Sequence, residues 1–204
     1  MISPTKLIKL MAIVAMPTLA SAAPSAAREP SIAATKAAAA KYQDFKVAIA
    51  EGFTTDGKCT TAEMLGLPGS EGAMGLHYVR KDLLGIGPPA PGRVVGTGTY
   101  TNFLKPSMLV YEPQADGSLK LIAVENLVFE SAWREAGHKG PPRFHGVRYV
   151  LLKDDPATKV DEAHNYEPHY ELHVWAFRHN PLGMFREFNP AVTCRYNKTA
   201  DKHM

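Results

Sequence analysis

Only two cysteines, Cys59 and Cys194, occur in 204 residues, and the chain has no apolar run approaching the ~20 residues that a bilayer span requires. Charge of one sign is also scarce. The formal +3 falls to about +1 once Lys6 and Lys9 are set aside as part of a removable N-terminal segment, and acidic and basic residues are mixed along the remainder. Nucleic acid and anionic membranes both want a clustered basic face, so neither finds a partner surface here. No G-x-S-x-G elbow, P-loop or dinucleotide fingerprint is present, which leaves serine-hydrolase and nucleotide chemistry without a foothold. No internal repeat is apparent.

What is present begins with an address. Lys6 and Lys9 flank a short apolar run from Leu10 to Met16, and Ala20-Ser21-Ala22 supplies the small residues of a cleavage site, so residues 1–22 read as a secretory signal peptide. No cysteine follows the cleavage site to take a lipid, and stable membrane insertion after cleavage is not expected. Residues 23–30 form a flexible Ala/Ser/Pro leader, 31–197 a single globular domain and 198–204 a tail. The mature chain is expected in a periplasm or outside the cell. There the two cysteines read as one disulfide closing a very long loop, worth ~4 kcal/mol in the chain-entropy account. A catalytic thiol is the alternative.

Ser31 to Ala50 contains neither Gly nor Pro and is rich in alanine. It predicts one helix with Ser31 as cap and an apolar stripe of Tyr42, Phe45, Val47 and Ile49. Thereafter strands dominate. Leu76 and Tyr78 alternate with His77 and Val79 in a segment entered through Gly75, and Met108–Glu112 with Leu119–Phe129 flanks an Asp116-Gly117 turn. The returning strand is apolar on both faces, except for Glu125. A carboxylate there must meet a cation, a donor or a metal, or else reach a solvated barrel mouth. Trp133–Pro142 reads as a charged loop, Phe144–Leu152 as a further strand carrying His145, and His138 and His164 as solvated loop histidines.

The densest run of unusual residues is His169 to Cys194. Tyr170, Leu172, Val174 and Ala176 fall on one side at period two, and His169, Glu171, His173 and Trp175 on the other, which predicts a strand. A helical reading would put His169 and His173 at i, i+4, as in H-E-x-x-H metalloproteases, but Glu171 occupies the wrong position of the pentad. In a strand the two histidines are about 13 Å apart, too far to share one ion, so any metal centre must recruit ligands from other strands.

Gly72-Ala-Met-Gly-Leu-His-Tyr78 and Leu172-His-Val-Trp175, leading through Asn180-Pro181, Gly183-Met-Phe185 and Asn189-Pro190 to Cys194, resemble a group of uncharacterised secreted bacterial proteins. The resemblance implies location and architecture; it carries over no activity and no site residues. Element order predicts an α+β fold, with the N-terminal helix packed on an antiparallel sheet or partial β-barrel. A cupin-like all-β barrel is the alternative, though the clustered H-x-H of that family is missing.

Three function classes follow. The first is a protein binding a transition metal, zinc or copper, through His77, Glu125 and His173 with His169 or Glu171. Tyr78 and Trp175 would line this pocket, and Met74 offers a thioether beside it. The second is a metal-dependent hydrolase or oxygenase using the same residues, and the third a non-catalytic envelope protein that binds a small ligand or partner. Protein recovered from its host is expected to begin near Ala23. N-terminal sequencing that returned Met1 would remove the compartment assignment.

Overall fold

A computed structural model of the chain describes residues 29–198. The expected signal peptide, most of the expected leader and residues 199–204 of the expected tail lie outside the described residues. Ser31 accepts a hydrogen bond from the Ala34 amide at 3.1 Å and caps α1, Ile32–Ala39, which continues as a 3-10 turn through Gln43. The expected single helix is broken at Asp44. There the backbone becomes extended and the carboxylate caps a second helix, α2, Phe45–Ala50, by accepting from the Lys46 amide at 3.0 Å. A short side-chain acceptor that competes for backbone donors favours a cap over a helix interior. The break buries Tyr42 and Ala48 and leaves Ile49 48% exposed, outside the expected stripe.

Among the described residues eight strands follow: β1 Cys59–Thr61, β2 Ala73–Val79, β3 Met108–Pro113, β4 Leu119–Phe129, β5 Arg143–Phe144, β6 Val147–Arg148, β7 Val150–Leu152 and β8 His169–Val174. Six of them form one antiparallel half-barrel in the order β1-β2-β3-β4-β8-β7, and β5 pairs with β6 separately. The fold is α+β. Two short helices interrupt the later chain, α3 at Lys81–Leu84 and α4 at Glu130–Glu135.

Two expected elements differ. Trp133 lies in α4 rather than a loop, where an i, i+4 pair between Glu130 and Arg134 at 2.6 Å supports the helix. The strand expected over Phe144–Leu152 is cut by His145 and Gly146, both with positive φ, which make a tight turn between β5 and β6.

Pairing runs across the sheet with register shifts at Thr60/Thr61 on β1 and at Val110/Tyr111 on β3. Leu76 and Tyr78 face Tyr111 and Leu109, Leu109 faces Val124, and Val124 faces Val174. This face is apolar and packs on the helices, and the Tyr111 hydroxyl donates to the Tyr42 carbonyl at 2.8 Å. On the opposite face His77 lies across from Val110, Met108 from Glu125, and Glu125 from His173. Gly75, with φ +120°, has no room for a side chain: a Cβ would stand 2.8 Å from the Tyr111 carbonyl oxygen.

Cys59 and Cys194 are disulfide-bonded across a separation of 135 residues, tying β1 to the C-terminal segment, and no cysteine is free among the described residues. Cys59→Ser/Cys194→Ser should therefore lower unfolding free energy by about 2–5 kcal/mol. Denaturant titration checks this, and an unchanged midpoint would show that the closed loop adds nothing.

Candidate metal centre

Three strands of the second face supply three side chains that converge. His77 Nε2 lies 3.3 Å from His173 Nε2, and each of these nitrogens lies 3.2 Å from Glu125 Oε2. They are a group of nitrogen and oxygen atoms able to hold a metal ion. Register explains two of the three, because Glu125 and His173 are direct partners on β4 and β8. His77 reaches across β3 from β2, two strands from β4.

The surroundings are dry. One apolar cluster, with Val110, Ala123 and Trp175, and another, with Met108, Leu127 and Phe129, lie on the same face. Glu125 has no exposure at all, and both its carboxylate oxygens are buried without a hydrogen-bond partner among the described residues. Burial, reinforced by the negative Glu171, pushes the Glu125 carboxyl well above the usual range. Burial likewise holds the imidazole of His77 below its ordinary value and lowers that of His173 to about 4. Two neutral imidazoles and one strained acid therefore face a common point. A dication placed there would supply the charge that Glu125 lacks.

A further layer surrounds them. Glu171 Oε1 stands 3.8 Å from His173 Nδ1, and neither atom has a hydrogen-bond partner among the described residues. Glu171 Oε2 is 3.4 Å from His169 Nε2, while His169 Nδ1 donates to the Glu167 carbonyl at 2.9 Å. Burial alone would raise the Glu171 carboxyl, but His169 and the other imidazoles outweigh it and hold it low. Trp175 stacks on His173 with ring centroids 5.8 Å apart, and its Nε1 donates to the Arg186 carbonyl at 2.6 Å.

The structure thus brings His77, Glu125 and His173 together, with Glu171 and Trp175 against His173 and with His169 outside the group. Tyr78 is a correction. It is adjacent to His77 in a strand and so points to the helix face, where it packs on Phe45 and Tyr111. Met74 lines a cavity with His77 and is itself packed with Ala62 and Phe188.

That cavity, about 150 Å³, is also lined by His164, His169 and Glu171. His164 overturns its reading as a solvated residue: its Nε2 is buried without a hydrogen-bond partner among the described residues, and burial lowers its imidazole. Glu187 was also not anticipated; burial, then the charge of Glu171, push its carboxyl up to about 7. No sequence pattern marks either one, since both lie in irregular segments placed by distant contacts.

No family model, curated protein or solved structure matches the chain. The site is read from its own geometry.

A metal-free sample should respond to pH in a defined direction. In the folded state Glu125 keeps its proton above the unfolded value, so stability present in acid is lost as pH rises from the ordinary carboxyl range toward the raised folded value. Glu187 adds to the same slope between about pH 4.5 and 7. Glu125→Gln should make the alkaline-side decline shallower, as read by urea unfolding across pH. An unaltered slope would mean that Glu125 is not held protonated. His173 contributes the opposite slope, its share of stability being lost as pH falls from about 6.5 to about 4, so in that range the two trends oppose each other and the difference between wild type and Glu125→Gln isolates the carboxyl.

Proposed function

We propose that this is a secreted protein that binds one zinc ion through His77 Nε2, Glu125 Oε2 and His173 Nε2. The observation that carries the reading is the near-equilateral triangle of these atoms, with edges of 3.2, 3.2 and 3.3 Å. With bonds of about 2.0–2.1 Å such edges subtend about 105°, near the tetrahedral angle that zinc adopts with imidazole and carboxylate ligands. The hard carboxylate weighs against copper(I), which prefers sulfur. Glu171, facing His173 Nδ1, supports the reading further, because a ligating histidine commonly directs its second nitrogen at a carboxylate. A movement of about 1 Å would bring that pair to hydrogen-bond length. The disulfide suits an oxidising compartment, and no helix among the described residues is long and apolar enough to cross a membrane.

Three protein ligands leave a fourth position open, the form that catalytic zinc sites take. Glu125 and His173 are sealed from solvent, while the His77 side chain retains 18% exposure and lines the cavity. The cavity is thus the side from which a ligand or water reaches the site. This favours a second reading, metal-dependent hydrolysis, over a closed structural site.

Protein secreted from its host should contain about one zinc per chain by elemental analysis, and His173→Ala or Glu125→Ala should weaken zinc binding at least a hundredfold with the fold retained. Wild-type protein that stays metal-free after dialysis against zinc sinks the proposal. Because the imidazoles are already neutral and Glu125 holds its proton, binding should release about one proton, and affinity should rise with pH. Calorimetry in buffers of different ionisation enthalpy reads that proton. Release of none would contradict the assignment of Glu125 as a ligand.

A further inference from the structure

His169 and Glu171 stand two residues apart on β8, so their side chains share the face that carries His173. The ring of His169 is held from behind. Its Nδ1 lies 2.9 Å from the Glu167 carbonyl oxygen, which can only accept, so Nδ1 carries a proton. That segment is itself fixed, because the Glu167 amide donates to the Val94 carbonyl at 2.8 Å and the Val94 amide donates to the Asn165 carbonyl at 2.9 Å. In the neutral ring Nε2 is therefore a bare lone pair, and it lies 3.4 Å from Glu171 Oε2. Two acceptors face each other.

Such a pair needs a positive centre, either a proton or a metal ion. A proton would make His169 an imidazolium and draw the two atoms to the roughly 2.7–2.9 Å of a charge-assisted hydrogen bond. The observed 3.4 Å exceeds that length. It suits an ion instead, since with bonds of about 2.0–2.1 Å such an edge subtends about 110°, near the tetrahedral angle. A ring whose other nitrogen donates to a backbone carbonyl is also how ligating histidines are commonly held. Both residues line the cavity of about 150 Å³, which has room for the solvent that would complete a coordination shell.

We propose that His169 Nε2 and Glu171 Oε2 hold a second divalent transition ion, zinc by its donors, beside the first. The site goes beyond the single-zinc reading and does not require it, because no ligand atom is shared: Glu171 meets the first site only through Oε1, which faces His173 Nδ1. Charge sets the order of filling. The inner carboxylates are Glu125 and Glu171, while at the mouth Asp56 is matched by Lys58 and Asp161 by Arg93. One dication balances the two inner carboxylates, and a second leaves a positive surplus that hydroxide offsets, since zinc lowers the pKa of bound water to about 7–9. The second ion is thus the weaker bound, and it appears on titration rather than in the protein as secreted.

The test strips the protein with a chelator and titrates it with zinc by calorimetry, and with cobalt(II) for the visible spectrum of each site. Wild type should take up two equivalents, the second more weakly. His169→Ala should weaken the second by at least about tenfold, the least that loss of a supporting group costs a metal site, and leave the tighter one unchanged. His173→Ala should do the reverse. Saturation at one zinc that His173→Ala abolishes overturns the second site and leaves the first standing; saturation at one zinc that only His169→Ala abolishes supports the second and overturns the first. A second equivalent undiminished in folded His169→Ala belongs to surface histidines and overturns the proposal. If that variant does not fold, nitrogen NMR of wild-type His169 decides, and an Nε2 that stays protonated with two equivalents of zinc present overturns the site. Failure to bind zinc at all overturns both.

Discussion

Glu125 sits in the middle of the sheet with no exposed surface and no hydrogen-bond partner among the described residues, and the site is arranged around that buried carboxyl. Left alone it would be among the costliest residues in the chain, because desolvating an ion is repaid only by a counter-charge or by a proton. A proton satisfies it in the metal-free protein, and on the reading proposed above a cation would do so in the loaded one. Burial also disfavours the charged forms of His77 and His173, so the apolar clusters on that face tune these imidazoles as well as packing the sheet.

The antiparallel ladder is what aims these groups. Direct pairing of Glu125 with His173, and of Met108 with Glu125, fixes the polar positions on one face, and a slip of one residue would turn His173 toward the helices and put Leu172 or Val174 in its place. Apolar partners such as Val124 with Val174 and Leu109 with Val124 on the helix face resist that slip. Burial on one face therefore holds the chemistry in place on the other.

Much of this is legible in the sequence because strand alternation is a local property. The period of two in Leu76–Val79 and in His169–Val174, the Asp116-Gly117 turn, and the isolated Glu125 place β2, β3, β4 and β8 and three of the side chains that meet. Alternation properly applied also puts Tyr78 on the helix face, opposite its neighbour His77. What stays hidden depends on contacts from far along the chain. His164 is turned inward by Arg93, across a segment whose composition reads as an exposed loop, and the break at Asp44 comes from a capping bond that competes with an otherwise uninterrupted helix pattern. The turn at His145 and Gly146 likewise rests on backbone angles that a run of strand formers conceals.

The disulfide between Cys59 and Cys194 and the distances between the three converging residues bear on the order of events when the chain first folds. His77 and His173 meet across 96 residues, and Glu125 lies between them on a third strand. Contacts of such long range form late, since each must repay the entropy of a large loop before it contributes. An extended chain carries no two of these side chains close enough to chelate an ion, unlike a short loop with neighbouring cysteines or histidines. On the secreted, zinc-binding reading proposed above, ion capture would follow closure of the sheet, and the metal reaching the site would be whichever one the compartment of folding supplies, not the one abundant where the chain was made.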